Sequence, residues 1–262
     1  MSKYKRGLLP FDHNADMLHL GRYLVRKTAP NGLPTPPSTL LFGKSIGVNA
    51  WGMGGNGPDP KYPNIPYGCG CCFFVGFVHA IDAARADLGL PPSGLDPVAL
   101  YMACTGYDPT QTDAHGNNPT DQGTDPVQGL NWLRDKGYID AWCLIDNMAM
   151  VPTGFMIGKG LLIGMGCPPD MDDQFDAGGT FTITAGNPAP SYADHCVYGA
   201  GYNPNEIVTW GGERQCDPGF VAATVKQRFC IIAPGQLTAS GMDEFGLDLA
   251  QLIADNELLK NA

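Results

Sequence analysis

The sequence predicts an α+β fold, with helices in the N-terminal half of the domain and antiparallel strands after about residue 140. A nearly all-apolar helix begins near Cys72 and ends before Gly89. Two further helices are indicated at 96–97 and 125–126, where a capping aspartate precedes a proline. Short β-type runs separated by turns then follow, at residues 160–164, 180–183, 196–198, 207–210 and 229–232.

The chain divides into three parts. Residues 1–45 form a basic, proline-rich arm with a short helix expected over residues 16–26. Residues 46–238 are expected to be a single domain, since 262 residues with 44% hydrophobic content can bury one large core. Residues 239–262 carry a terminal helix, expected from residue 242 to residue 260.

Charge is distributed unevenly along the chain. The net charge is −10, which argues against a nucleic-acid partner because phosphate binding needs a basic face. Residues 1–27 nevertheless hold six basic residues against two acidic ones. This arm either docks on an acidic neighbour or is a solvated tail. We expect no membrane span, because no apolar run is long enough, and no signal peptide, because no apolar core follows the N-terminal basic residues.

Nine cysteines indicate mostly free thiols in a reducing compartment, because the count is odd and the spacing is unlike that of a disulfide scaffold. Zinc binding at the 69–72 cysteine cluster is disfavoured because no second knuckle is present. The acidic run from Asp170 to Asp176 reads as a solvated turn more than a calcium loop, since the terminal glutamate is missing. We therefore expect no cofactor and no metal.

The segment Tyr67–Phe74 carries the strongest chemical signal. A glycine-rich loop leads into a buried helix whose first turn is expected to hold Cys72. Cys71 is the alternative if the helix begins one residue earlier. Unpaired N–H groups and the partial positive charge at a helix N-terminus favour the nucleophilic thiolate. The same N–H groups can stabilise an oxyanion.

This segment resembles the Cys-Gly-Ser-Cys-Trp signature of the papain-like cysteine peptidase superfamily, with Cys69-Gly70-Cys71-Cys72-Phe73 in its place. The run from Asp194 to Pro204 is similar to the family's histidine strand, and Trp210-Gly211-Gly212 to its later Trp-Gly. The resemblance implies that Cys72 is the nucleophile and His195 the base of a hydrolase acting on peptide or isopeptide bonds. It also implies a helical half, bearing the cysteine helix, packed on an antiparallel β half.

Two positions depart from the family pattern. Pro66 stands where the family has its oxyanion-hole glutamine, and either Asn64 or Asn56 is a candidate for the missing amide. Val208 stands where the family has the asparagine that orients the histidine. Thr209 and Asp194 are the candidates for that role. Two interpretations stay open: an active hydrolase, or a catalytically degenerate fold with a structural or binding role.

The layout also resembles papain-like proteins encoded by bacteriophages, through Trp51-Gly52-Met53, Tyr67-Gly68 and Val208-Thr209-Trp210-Gly211. That resemblance implies a virion or a bacterial host cytoplasm as the setting. The partners it implies are a peptide or protein substrate and other phage structural proteins that bind the basic arm.

Overall fold

The computed structural model describes residues 3–9, 17–23, 35–234 and 248–259. Seven α-helices occur within these ranges: α1 (Cys72–Asp87), α2 (Pro97–Thr105), α3 (Pro126–Asp135), α4 (Val151–Gly158), α5 (Met171–Ala177), α6 (Pro218–Thr224) and α7 (Leu249–Leu259). The same ranges contain seven strands: β1 (Leu40–Leu41), β2 (Ala141–Leu144), β3 (Leu161–Met165), β4 (His195–Tyr202), β5 (Asn205–Thr209), β6 (Gly212–Cys216) and β7 (Val225–Ile232). The predicted α+β class is confirmed.

The strands form one sheet in the order β2-β7-β3-β4-β5-β6, with β1 added to the end of β4. All of these strand pairings are antiparallel. β4 lies inside the sheet between β3 and β5. Its first residue, His195, pairs with Met165, and Tyr198 pairs with Val208. The sheet therefore holds β4 on both sides, with β3 pairing at its first residue and β5 from Tyr198 onward.

Helix α1 lies against this sheet and is buried around most of its circumference. Gly76 makes the close approach possible, because a Cβ there would lie 3.3 Å from a Leu162 side-chain carbon and 3.3 Å from the backbone carbon of Val197. Helix α1 therefore packs directly on β3 and β4. Its N-terminus is brought to the beginning of β4.

The two helices predicted from Asp-Pro pairs are confirmed. The side chain of Asp96 accepts hydrogen bonds from the N–H groups of Val98 and Ala99, and Asp125 accepts one from Gln128. Each cap satisfies donors that a helix leaves unpaired and contributes about 1 kcal/mol. These caps fix where α2 and α3 begin.

Alternate residues along the strands belong to two separate clusters of buried side chains. Leu162 and Tyr198 pack with α1, α2 and α3 on one face of the sheet. Leu161, Ile163 and Val197 pack with α4 and α5 on the other. This alternation is the two-residue period of a strand buried on both faces.

Several predicted element boundaries were wrong. Residues 180–183 form no strand, and only Phe181 makes an isolated bridge, to Cys216. Strands β2 and β6 and helices α4, α5 and α6 were not predicted. Where a helix was expected over 16–26, the structure has a short 3-10 helix at Leu20–Arg22, and the remaining residues 16 and 24–26 lie outside the described ranges. The terminal helix begins at Leu249, while residues 242–247 lie outside the description.

All nine cysteines fall within the described residues, and none of them forms a disulfide there. No group of three or more potential metal ligands occurs in the part of the chain that the structure describes. No helix of the described residues has the length and apolar character needed to cross a bilayer. The boundaries proposed for the arm, the domain and the terminal segment stay predictions.

Candidate active site

Cys72 is the first residue of α1 and is 1% exposed. The backbone N–H groups of Cys196, Gly7 and Phe73 act on its pKa in the direction that favours the thiolate. Burial acts more strongly in the opposite direction and raises the pKa of Cys72 to about 12. The predicted position at a helix N-terminus is therefore found, but the predicted lowering of the thiol pKa is not.

His195 is the first residue of β4 and is also 1% exposed. Its Nε2 lies 2.8 Å from Oγ1 of Thr209, and its ring stacks on the indole of Trp210 with 5.1 Å between centroids. Among the described residues, Nδ1 has no hydrogen-bond partner. Burial, assisted by the positive charge of Arg6, lowers the pKa of His195 to about 3.

The sulfur of Cys72 and the start of β4 meet at one place. One of the backbone N–H groups that act on the pKa of Cys72 belongs to Cys196, the residue directly after His195. The sulfur of Cys72 therefore lies near the backbone at the start of β4. No hydrogen bond joins the side chains of Cys72 and His195 within the described structure, and the pKa values leave a neutral thiol and a neutral imidazole.

Thr209 is the predicted orienting residue that the fold brings to the histidine. It is the last residue of β5 and is 3% exposed. Asp194, the other candidate, is engaged elsewhere: Oδ1 accepts the N–H of Cys167 at 2.9 Å and Oδ2 lies 3.5 Å from Nη1 of Arg6. The carboxylate of Asp194 therefore binds the backbone N–H of Cys167 and the guanidinium of Arg6.

The amide candidates occupy different environments. Asn64 is exposed, and none of the described hydrogen bonds joins it to Cys72. Asn56 is 1% exposed, and its Nδ2 donates to the carbonyl oxygen of Cys69 at 3.1 Å, so it supports the loop before α1. Cys71, the alternative nucleophile, directs its sulfur to the carbonyl of Gly54 at 3.4 Å.

Residues 3–9, which we call the N-terminal strap, cover this site. The strap is hydrogen-bonded to both halves of the molecule: the N–H of Leu8 donates to the carbonyl of Asp194 at 3.2 Å, and the N–H of Leu9 to the carbonyl of Thr124 at 3.0 Å. A Cβ at Gly7 would lie 2.2 Å from the carbonyl oxygen of Gly70, so only glycine allows this approach.

Aromatic stacking holds the N-terminal end of the strap against the domain. The ring of Tyr4 stacks on Trp210 with 4.5 Å between centroids, on the same indole that His195 contacts. Trp210 has a φ of +46°, a strained backbone conformation for a residue with a large side chain. The sequence placed residues 3–9 in a basic arm and gave no signal for this location, because the contacts depend on residues far apart in the chain.

Comparison with known proteins gives structural matches only, since no family model and no curated protein matches the sequence. Xylellain, a cysteine protease from Xylella fastidiosa, is similar with a TM-score of 0.54 and 11% identity, covering 88% of this chain and 97% of that one. Digestive procathepsin L 3 from Tenebrio molitor larval midgut is similar with a TM-score of 0.51 and 13% identity, covering 88% and 76%. The chain has the fold of the papain-like cysteine proteases.

Proposed function

We propose that this protein is a thiol hydrolase of the cysteine peptidase type that acts on peptide or isopeptide bonds. The observation that carries the proposal is the meeting of Cys72, at the N-terminus of a buried helix, with the start of the strand that bears His195. The hydrogen bond between Oγ1 of Thr209 and Nε2 of His195 supports it, because an oriented imidazole is what a general base requires.

In the proposed reaction His195 accepts the proton of the Cys72 thiol, and the sulfur attacks the substrate carbonyl carbon. The N–H of Cys72 stabilises the oxyanion. The imidazolium returns the proton to the leaving amine, which departs as the acyl-thioester forms. Water then attacks the thioester, giving up a proton to His195, and the carboxylic acid is released as the thiol is restored.

The strap must move before a substrate can bind, because Cys72 and His195 are each 1% exposed beneath it. Opening admits water, which weakens the burial effect on both groups. The pKa of the thiol then falls and that of the imidazole rises, toward the ion pair that nucleophilic attack needs.

Iodoacetamide labelling of each cysteine, followed by mass spectrometry, tests the proposal. Gly7→Ala opens the strap, because the added Cβ clashes with backbone. Gly21→Ala is the matched control, since a Cβ there meets nothing within 4 Å. We expect Cys72 to react fastest in Gly7→Ala, and about 100-fold more slowly once His195→Gln is added. Labelling of Cys72 no faster than that of the other cysteines in the opened protein contradicts the proposal.

A second candidate function is a structural or binding role in a phage particle, with the degenerate site retained only for its fold. Pro66 and Val208, at the expected glutamine and asparagine positions, favour it. This setting and its partners rest on sequence resemblance alone. Co-sedimentation with intact particles tests the idea, and a protein found only free in lysate contradicts it.

A further inference from the structure

A cavity of about 650 Å³ lies beside the site, under the N-terminal half of the strap. One wall carries four aspartates: Asp172, Asp173, Asp176 and Asp194. Prolines 188 and 190 and the ring of Tyr192 provide its apolar side. Lys3 and Arg6 of the strap line the remaining part. The cavity therefore joins an acidic wall to a basic segment of the same chain.

The guanidinium of Arg6 is bound in this cavity by four acceptors. Nη1 lies 3.3 Å from the carbonyl oxygen of Cys167 and 3.5 Å from Oδ2 of Asp194. Nη2 lies 3.5 Å from the carbonyl oxygen of Pro168 and 3.2 Å from Oδ1 of Asp172. Two carbonyls and two carboxylates thus converge on one planar cation, an arrangement that suits the fork of an arginine better than a lysine.

Arg6 reaches this position as part of a peptide segment that runs past Cys72. The next residue, Gly7, packs against the backbone of Gly70, two residues before Cys72, and the N–H of Leu8 donates to the carbonyl of Asp194. The strap therefore holds a side chain in the cavity and a backbone at the nucleophile at the same time. This is the placement required of a peptide substrate.

The strap does not neutralise the cavity. Two cations face four carboxylates, and Asp173 is exposed. The side chain of Arg6 is 19% exposed, so the bound guanidinium lies at an opening from which it can withdraw. A second arginine side chain, from another peptide, can enter by the same opening once the strap leaves.

We propose that this cavity is a binding subsite for a guanidinium-bearing side chain of a peptide in the Cys72 cleft, and that Arg6 occupies it intramolecularly. The inference rests on the proposed function insofar as it takes the cleft to bind peptides. It adds the chemical class of the substrate: peptides or proteins with arginine one residue before the position of Gly7. Such a peptide competes with the strap for the same four acceptors.

The test uses the full chain carrying Gly7→Ala and a synthetic peptide with the sequence of residues 3–9, Lys-Tyr-Lys-Arg-Gly-Leu-Leu. Its partner peptide has citrulline in place of the arginine, which keeps the shape and removes the charge. Protection of Cys72 from iodoacetamide measures binding of each peptide. We expect the arginine peptide to protect at a concentration at least tenfold lower, since charge-assisted hydrogen bonds are roughly twice as strong as neutral ones.

A change on the acidic wall makes the second arm of the test. Asp172→Asn removes one charge that contacts Arg6, and the preference for arginine over citrulline should shrink several-fold. Asp146→Asn is the control, because Asp146 is exposed and does not line the cavity, and it should leave the preference unchanged. Equal protection by the two peptides, or protection by neither, overturns the subsite.

The two proposals fail in different ways. Protection reports binding and needs no hydrolysis, so arginine-selective protection of a Cys72 that labels no faster than the other cysteines would leave the subsite standing and remove the hydrolase. A reactive, His195-dependent Cys72 with no arginine preference would do the reverse. If Cys72 stays as slow in Gly7→Ala and in Arg6→Ala as in the unchanged protein, the strap does not hold the site and the inference is wrong.

Discussion

The hydrogen bond between Thr209 and His195 supports a quantitative prediction. Both side chains are almost fully buried, and Oγ1 lies 2.8 Å from Nε2. Nδ1 has no hydrogen-bond partner among the described residues. Within that part of the chain, the ring is therefore hydrogen-bonded through Thr209 alone. Thr209→Val keeps the branched shape and removes the hydroxyl. The imidazole is then left in a dry environment with both nitrogens unpaired.

Leaving a buried polar group unpaired costs about 1–3 kcal/mol. Taking about 2 kcal/mol and a shift of about 2–4 °C per kcal/mol for a chain of this size, we expect the midpoint of thermal unfolding to fall by about 4–8 °C. Thr209→Ser retains the hydroxyl and should lose less, through the missing methyl group alone. Differential scanning calorimetry at neutral pH measures both variants against the unchanged protein.

The same substitution affects the proposed chemistry. In the Gly7→Ala background, Thr209→Val should slow the alkylation of Cys72, because the imidazole is no longer held in one orientation. Thr209→Asn, which supplies an amide oxygen, should retain the faster rate. The reasoning is refuted if Thr209→Val has the same midpoint of thermal unfolding as the unchanged protein and the same rate of Cys72 alkylation as its Gly7→Ala background. The hydrogen bond would then contribute neither stability nor orientation.

Two further predictions concern stability. Burial lowers the pKa of His195 to about 3 and that of His79 to about 4, against 6.5 in the unfolded chain, so stability present above about pH 6.5 is lost as the pH falls toward these values. The free energy of unfolding should fall by up to about 1.4 kcal/mol per pH unit for each histidine. Urea unfolding at pH 7 and pH 5 measures this fall. Equal free energies of unfolding at the two pH values contradict the burial of neutral histidines. Asp121→Ala removes the acceptor 2.8 Å from the N–H of Gly70 and should lower the free energy of unfolding by about 2 kcal/mol, whereas Asp173→Ala, an exposed control, should change it little.

The parts of the fold that were predicted correctly have local signals. The start of α1 follows from a glycine-rich loop entering an apolar run, and α2 follows from the Asp96-Pro97 pair. The start of β4 at His195 is similarly marked by the β-type run that follows it. In each case neighbouring residues determine the backbone conformation, so the sequence alone is sufficient.

The parts that were missed depend on long-range packing. Strand β6 reads Gly-Glu-Arg-Gln-Cys, and its polar residues are tolerated because it lies at the edge of the sheet. The ordering of residues 180–184 depends on Gln174, which hydrogen-bonds to the backbone of Thr182, and on Asp170, which accepts from the hydroxyl of Thr184. The position of the strap depends on contacts across more than 100 residues. None of these features has a local sequence signal.

The neutral state of the site follows from closure more than from the departures at Pro66 and Val208. Burial is the main cause of the raised pKa of Cys72 and of the lowered pKa of His195, and the second cause at His195 is the charge of Arg6 on the strap. Withdrawal of the strap removes that charge and admits water. Both pKa values then move toward each other, with Thr209 still bound to the imidazole. The neutral state of the closed site is therefore compatible with the proposed hydrolase.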